Sequence, residues 1–273
     1  MSVIVPAHDE AGYIGGCLDS LLAQDATAGA VEVIVAANGC VDDTAGVARG
    51  RAEAFGQRGW RLQVLDLPEP GKPGALNAGD AAAQGSLRMY LDADIRCDPD
   101  LLGQLRRALA VEAPHYATGR LAVAPARSWT SRRYGDFWCS LPFVRGGAVG
   151  AGCYAVNAAG RARWNRFPDL IADDSFTRLQ FRPDERIEVP SRYHWPLVEG
   201  FSALVRVRRR QNAGMSELFT HHPELVAREG KAHLGPRDLL RLAVGMPISF
   251  LVYAGVSSAV RLRRGGTEWT RGR

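Results

Sequence analysis

Two aspartates stand two residues apart directly after an apolar run, at Asp92 and Asp94. The preceding residues 87–91 have the composition of a buried strand. Residues at i and i+2 leave a strand on the same face, so the loop that follows can point both carboxylates into one cleft. Carboxylate oxygens are the ligands preferred by hard divalent cations, which often carry diphosphates. An Asp-x-Asp pair also occurs as a solvated turn, so this interpretation depends on the rest of the chain.

A second acidic pair and one lysine could take part in the same chemistry. Asp173 and Asp174 follow an apolar dipeptide and precede a helix-like segment, residues 175–179. A carboxylate within hydrogen-bond reach of an acceptor hydroxyl can act as a general base. The alternative is a helix N-cap, where aspartate is favoured. Lys72 lies in a Gly-Lys-Pro-Gly turn that opens a helix; it could approach a diphosphate or simply lie on the surface.

The elements that must position these residues alternate along the first third of the chain. Strand-like runs cover residues 2–6, 31–36, 62–67 and 87–91. Between them, apolar residues recur at helical spacing, at positions 14, 18, 21 and 22 and again at 45, 48, 52 and 55. This alternation predicts a parallel sheet covered by helices. Ligands bind such sheets beyond the carboxyl ends of the strands, where the polar loops 7–10, 38–43 and 92–94 fall.

Composition limits the class of protein. With 273 residues and 46% hydrophobic content, the chain is long enough for one large α/β domain with an appendage, or for two small domains. The five cysteines are scattered without C-x-x-C spacing, which predicts neither a disulfide framework nor a zinc site and fits a reducing cytosol. The N-terminal residues lack a secretory signal pattern, so we expect a cytoplasmic protein.

The net charge of +5 comes mainly from arginines in the second half. Arginine clusters suit phosphate-bearing partners. No helix-turn-helix, zinc-knuckle or RNP-like aromatic motif accompanies them, so nucleic acid is not the expected partner. Diphosphate ligands or anionic lipid headgroups fit better.

The C-terminal part differs in composition. Residues 242–260 carry no charge and are flanked by Arg241 and Arg261. This length just reaches the transmembrane range, and its proline, serines and glycines weaken that interpretation. An apolar helix that is embedded in or lies on the inner leaflet, and a helix that covers the domain, both remain open. We therefore divide the chain into a catalytic domain, residues 1–235, and an apolar helix with a basic tail, residues 236–273.

The order of motifs resembles the family 2 glycosyltransferases, whose fold is called GT-A, over residues 2–211. The motifs are Val-Ile-Val-Pro-Ala-His-Asp-Glu at residues 3–10, Asn-Gly-Cys-Val-Asp-Asp-Thr at 38–44, Gly-Lys-Pro-Gly-Ala-Leu-Asn-Ala-Gly at 71–79, the Asp-x-Asp pair, Gly-Ala-Gly-Cys at 150–153 and Ala-Asp-Asp at 172–174. The resemblance implies a Rossmann-like α/β sandwich with a mainly parallel sheet. It also implies an inverting transfer of one sugar from a nucleotide-diphosphate sugar to an acceptor hydroxyl, either lipid-linked or on a small molecule.

The resemblance assigns roles to individual residues. A divalent metal, Mn²⁺ or Mg²⁺, is expected on Asp94 with Asp92, and the general base is expected at Asp174 beside Asp173. Contacts with the acceptor are expected at Gly152 and Cys153. Contacts with the donor are expected at Pro6, His8, Glu10, Asn38, Asp42, Lys72, Asn77, Asp92, Ala93, Arg206 and Arg209.

The chain departs from the family pattern at three positions. Asp173 stands where the family usually has glutamate. Arg210 stands where a tryptophan of processive synthases is expected, which favours a single transfer. Ala37, directly before Asn38, stands where relatives often carry a carboxylate that contacts uracil. A UDP-sugar is the favoured donor, with GDP- and dTDP-sugars open, since an Asn38 amide can still hydrogen-bond a base.

Two other classes share parts of this pattern. A nucleotidyltransferase would need a basic, glycine-rich loop after the first strand, whereas residues 7–12 are acidic here. A degenerate glycosyltransferase domain that acts as a nucleotide-sugar or membrane-bound interaction module would have lost the catalytic carboxylates. Asp92, Asp94 and Asp174 are all present, which favours an enzyme.

Overall fold

A computed structural model of the chain describes residues 1–230, 232 and 234–262. Within these residues it contains one mixed sheet. Its strands are β1 Ser2–Ala7, β2 Glu32–Asn38, β3 Arg61–Leu67, β4 Arg88–Leu91, β5 Arg96–Cys97, β6 Tyr116–Val123, β7 Cys153–Val156 and β8 Arg186–Trp195.

The strand order is β3-β2-β1-β4-β7-β6-β8-β5. β3, β2, β1 and β4 run parallel, as the alternation of strands and helices predicts. β7 pairs antiparallel with both β4 and β6, and β8 runs parallel to β6. The carboxyl ends of β1, β2 and β4 therefore meet at one edge, and the loops that follow them carry the polar residues noted above.

Helices cover both faces of the sheet. Those of the described residues are α1 Ile14–Leu22, α2 Thr44–Arg49, α3 Ala52–Gln57, α4 Lys72–Ala82, α5 Leu101–Ala108, α6 Trp129–Trp138, α7 Ala158–Arg161, α8 Asp173–Arg178, α9 Phe201–His221, α10 Pro236–Gly245 and α11 Pro247–Leu262. The apolar pattern from 45 to 55 is shared by two helices, α2 and α3. Gly50, a poor helix former, is the C-cap of α2 and separates them.

The core has two apolar layers, one on each face of the sheet. Val3 and Val5 of β1 belong to one buried cluster, and Ile4 belongs to the other. This division follows from the alternation of strand residues between the two faces. Tyr90 of β4 is the register partner of Ile4 and packs on the same side. The first layer takes residues from α1, α5, α6 and the start of α9, and the second from α4, α8 and the end of α9. The predicted α/β sandwich is confirmed.

The C-terminal apolar segment forms two helices that meet at Met246. Pro247, whose ring removes a backbone N–H donor, begins α11. α11 packs on α6 through aromatic pairs: Tyr253 stacks on Tyr134 at 5.5 Å between ring centroids, and Phe250 lies 5.5 Å from Phe137. Among the described residues, no helix combines the length and the apolar character needed to cross a membrane. Residues 263–273 of the predicted basic tail lie outside the described residues.

Candidate active site

A cleft of about 1470 Å³ opens at the carboxyl ends of β1, β2 and β4. The end of β2 contributes Asn38 to its wall, and the loops after β1 and β4 contribute His8 and Asp92. The N-terminus of α4 contributes Lys72, and that of α8 contributes Asp173. The two acidic pairs, which are far apart in sequence, therefore face the same space.

The Asp-x-Asp loop is held from behind by the strand β7 and the turn before it. The N–H of Asp92 donates to the carbonyl of Gly152 at 2.7 Å, and the N–H of Ile95 closes a turn on the carbonyl of Asp92 at 3.1 Å. Gly152 has a φ of 65°, and a Cβ there would lie 2.5 Å from Asp92 Oδ2. A glycine is required at 152 because the backbone passes directly against the Asp92 carboxylate.

Lys72 connects the two acidic pairs. Its Nζ lies 2.8 Å from Asp92 Oδ1 and 3.1 Å from Asp173 Oδ2. Burial by itself lowers the pKa of Lys72, but the carboxylates of Asp173, Asp92 and Asp174 raise it, and the net pKa is above the ordinary lysine value. The ammonium group therefore stays charged at neutral pH and lies between the two carboxylates.

Asp173 and Asp174 differ in environment although they are adjacent. The residue Asp173 is only 6% exposed, and burial raises its pKa to about 7, against the lowering effect of Lys72. The charges of Asp174 and Asp92 add to the increase. Asp174 is half-buried and accepts a hydrogen bond from the N–H of Ser175 at 2.6 Å. Asp174 is thus the more accessible of the two carboxylates to a second substrate.

The Asn38 side chain holds three segments of the cleft wall together. Its Nδ2 donates to the carbonyl of Ala7 at 2.8 Å, and its Oδ1 accepts from the N–H of Gly71 at 2.9 Å. The residue is 2% exposed. The sequence predicts an amide that reads a base, whereas here the amide groups already join β1, β2 and the turn before Lys72.

Apolar and basic side chains also line the cleft. Trp138 and Trp195 lie in its wall with their rings 5.5 Å apart, and Phe143 lies 6.4 Å from Trp138. Arg208 and Arg210 of α9 line the cleft as well. Aromatic and aliphatic walls beside guanidinium groups suit a ligand with both apolar and anionic parts.

The sequence profile described as glycosyl transferase family 2 matches residues 2–167, more than half of this chain. The chain belongs to glycosyl transferase family 2. It is 28% identical to the uncharacterized glycosyltransferase YibD of Escherichia coli K12 over 146 residues. The aligned region covers 53% of this chain and 39% of YibD. It is 32% identical to glycosyltransferase AglE of Haloferax volcanii over 100 residues. This aligned region covers 36% of this chain and 31% of AglE. The chain thus spans about two fifths or less of these curated relatives.

Solved structures share the fold of this family 2 chain. Mannosyltransferase PcManGT from Pyrobaculum calidifontis, in complex with GDP-Man and Mn²⁺, has a TM-score of 0.63 at 21% identity, covering 97% of this chain and 75% of PcManGT. TarS 1-349 of S. aureus, in complex with UDP, has a TM-score of 0.56 at 16% identity. The match covers 92% of this chain and 70% of the TarS chain. Identities this low establish the fold alone. The predicted GT-A fold is confirmed.

Most of the site residues predicted from the family resemblance lie in the wall of the cleft. They come from the ends of β1, β2 and β4 and the loops that follow, from the N-termini of α4 and α8, and from the turn before β7: Pro6, His8, Glu10, Asn38, Lys72, Asp92, Ala93, Asp94, Gly152, Asp173 and Asp174.

Other predicted residues of this family 2 chain are not among those that line the cleft. Asp42 Oδ1 accepts a hydrogen bond of 3.0 Å from the N–H of Thr44, the first residue of α2. Asn77 pairs with the backbone of Phe167, donating at 3.0 Å and accepting at 2.8 Å. Cys153 is fully buried in β7. These positions support structural roles.

The four arginines of α9, at positions 206 and 208–210, lie in different surroundings. Arg206 is exposed, and Arg209 donates to the carbonyl of Ala259 in α11 at 2.6 Å. Leu204, Val207, Arg208, Gln211, Asn212 and Met215 line the cleft at helical spacing, and Arg210 and Glu217 of the same helix line it as well. Motif matching put weight on Arg206 and Arg209 and missed Arg208 and Arg210. The helical period, anchored on the apolar Leu204, would have favoured Arg208, since i and i+4 share a face.

Proposed function

We propose that this chain transfers one sugar from a nucleotide-diphosphate sugar to an acceptor hydroxyl, with inversion at the anomeric carbon. The observation that carries the proposal is the convergence of Asp92, Asp94, Lys72, Asp173 and Asp174 on one cleft. Membership of the family supports the reaction class. The carboxylates required for metal binding and base catalysis are retained, which disfavours a binding module without activity.

The Asp-x-Asp pair has the donor set for a hard divalent cation, Mn²⁺ or Mg²⁺. Asp92 and Asp94 offer carboxylate oxygens only, which such cations prefer. Gly152 keeps a Cβ away from Asp92 Oδ2 and so leaves that oxygen space. The Lys72 ammonium beside Asp92 Oδ1 indicates that this carboxylate attracts positive charge. A metal bound here would stabilise the charge of the departing diphosphate.

The side chains of the cleft divide the remaining work. Lys72, charged and close to Asp92, would stabilise negative charge on the diphosphate as the anomeric bond breaks. Asp174 would take the proton of the acceptor hydroxyl, whose oxygen forms a bond to the anomeric carbon as the diphosphate leaves from the opposite face. Asp173 is buried and bound to Lys72, so we assign it the role of positioning that lysine.

The donor nucleotide is open to a direct test. Similar folds have been solved with GDP-Man, UDP and UDP-GlcNAc; we favour a UDP-sugar and keep GDP- and dTDP-sugars as alternatives. Thermal unfolding is measured with UDP, GDP, dTDP or CMP, each with Mn²⁺ and with chelator. A nucleotide at about 100 times its Kd stabilises the folded state by about 2.7 kcal/mol.

We expect one nucleotide to raise the unfolding midpoint only in the presence of metal. The Asp94→Asn variant should lose this metal-dependent increase. An increase that is the same with metal and with chelator would contradict the metal assignment. No increase with any nucleotide, together with no release of nucleotide from sugar donors, would contradict the proposed donor class.

We also propose contact with the inner leaflet of a membrane and a lipid-linked acceptor. Exposed apolar side chains lie on both helices: Leu240 (65% exposed) and Val244 (73%) are four residues apart on α10, and Ile248 (55%) and Leu251 (67%) are three residues apart on α11. We call these four side chains the apolar stripe. An apolar stripe of this kind can insert into the boundary of headgroups and acyl chains.

Charge supports a membrane as the occupant of this stripe. Arg237, Arg241 and Arg261 are exposed on the same two helices, and each such arginine near an anionic surface contributes about 1 kcal/mol. The aromatic and arginine side chains of the cleft wall would suit an acceptor that has both apolar and anionic parts. Free nucleotide-sugars and anionic lipids meet at the cytoplasmic face, which is the location that we propose.

Sedimentation with vesicles tests this part of the proposal. The protein should sediment with vesicles that contain phosphatidylglycerol and much less with phosphatidylcholine alone. The variant Val244→Glu/Leu251→Glu should stay in the supernatant, whereas Val41→Glu, at a residue 91% exposed after β2, should sediment like the wild type. Equal sedimentation of the double variant would contradict the assignment of the stripe.

A further inference from the structure

Three side chains with metal-binding atoms meet where β1 and β2 end. A ring nitrogen of His8, a carboxylate oxygen of Asp9 and Sγ of Cys40 all lie within 4.8 Å of one another. The three residues are partly exposed, and His8 and Asp9 also line the cleft. They come from two loops more than thirty residues apart in sequence, so the parallel pairing of β1 and β2 brings them together.

The backbone holds the two loops in this arrangement. Asp9 has a φ of 52°, a left-handed conformation that is costly for a residue with a Cβ and persists where the surroundings enforce it. Its N–H donates to Cys40 Sγ at 3.4 Å. Its Oδ1 accepts from the N–H groups of Val41 at 2.6 Å and Asp42 at 3.3 Å. The sulfur and the carboxylate are therefore fixed side by side before any ligand arrives.

The histidine carries the type of outer hydrogen bond that ligating histidines usually have. His8 Nδ1 lies 2.6 Å from the carbonyl oxygen of Asn38. A carbonyl can only accept, so Nδ1 is the protonated nitrogen and the ring lone pair is on Nε2. Metal-binding histidines normally donate their second N–H to a carbonyl or carboxylate, which fixes the tautomer and the orientation of the ring.

We infer that His8, Asp9 and Cys40 form a site for a borderline-soft divalent cation of the Zn²⁺ class. Nitrogen, oxygen and sulfur together suit zinc, whereas the oxygen-only pair Asp92 and Asp94 suits Mn²⁺ or Mg²⁺. Three protein ligands leave a fourth tetrahedral position open to water or a ligand in the cleft. On binding, the Cys40 thiol loses its proton to solvent and sulfur bonds to the metal, so affinity rises with pH.

Cobalt(II) is the probe, because a cobalt–thiolate bond gives a near-ultraviolet charge-transfer band that oxygen and nitrogen ligands do not give. The full chain, kept reduced and treated with chelator, is titrated with Co²⁺ and then with Zn²⁺. We expect a saturable band that appears with one equivalent of Co²⁺, grows with rising pH and is removed by Zn²⁺.

Variants locate the band and separate this inference from the proposed transferase activity. Cys40→Ser should abolish it, and His8→Ala should weaken Co²⁺ binding at least tenfold. Cys139→Ser, at another partly exposed cysteine, and Asp94→Asn should both retain it. A band that survives Cys40→Ser, or no band in the folded wild type, would overturn the inference, whatever the outcome of the nucleotide screen.

Discussion

Replacing Lys72 by methionine removes the ammonium between Asp92 and Asp173 and keeps a side chain of similar length. Asp173 is the pH-sensitive partner, because its pKa is raised to about 7, chiefly by burial. This folded-state pKa lies above the value in the unfolded chain. Asp173 therefore contributes most stability below its unfolded pKa, and that contribution is lost as the pH rises through about 7.

The variant extends this loss to higher pH. Lys72 lowers the pKa of Asp173, so its removal raises that pKa further, and the stability of the variant continues to fall above pH 7. A charge-assisted hydrogen bond contributes about 1.5–3 kcal/mol. The Lys72 side chain keeps 35% of its surface exposed, and solvent screens the pair. We therefore expect the destabilisation of Lys72→Met to increase by about 1–2 kcal/mol between about pH 5.5 and about pH 8.5.

Urea unfolding followed by circular dichroism at the two pH values measures this difference. Arg49→Met is the matched control, because Arg49 and Asp66 form a surface pair whose side chains are 53% and 64% exposed. That control should cost less than about 1 kcal/mol at both pH values. A destabilisation by Lys72→Met that is the same at both pH values, or larger at the acidic one, would refute the pairing of Lys72 with an ionised Asp173.

Three further substitutions test other parts of the structure. Asp174→Asn should keep metal-dependent nucleotide binding and lower transfer by about 10²- to 10⁴-fold, measured as the rate of nucleotide release with acceptor present. Gly152→Ala should weaken metal-dependent nucleotide binding at least tenfold in a titration, because its Cβ would displace the Asp92 carboxylate. Glu185→Gln should cost about 2 kcal/mol in urea unfolding at pH 7 and less near pH 3. Hydrogen bonds from Arg163 hold the pKa of Glu185 at about 2, so the stability from this pair is lost as the pH falls from about 4.5 to about 2.

For each of these substitutions, one result would contradict the prediction. Near-normal turnover of Asp174→Asn would move the base elsewhere. Gly59→Ala is the control for Gly152→Ala, since Gly59 also has a positive φ, 73°, but nothing lies within 4 Å of its Cβ position; equal effects of the two would attribute the change to backbone strain alone. A pH-independent effect of Glu185→Gln would exclude the loss of a carboxylate–guanidinium bond.

The alternation of strands and helices could be predicted from the sequence because it depends on local periodicity. Strands β1 to β4 fall within one or two residues of the predicted runs. The ordered motifs likewise indicated the family. Local signals failed at helix ends: Gly50 divides one predicted helical pattern, and Pro247 divides the C-terminal apolar segment.

The sequence by itself determined the fold class and the family, and most of the site residues that it predicted line the cleft, because strand ends and motif residues follow from neighbours along the chain. Tertiary structure decided which side chains meet. The ion pairs of Lys72, the fit of Gly152 against Asp92 and the cluster around Cys40 all join segments that are distant in sequence. Spacing rules for zinc sites count paired cysteines along the chain and so do not detect ligands on two loops. Such contacts depend on the register of the sheet and the rotation of each helix, which sequence periodicity does not specify.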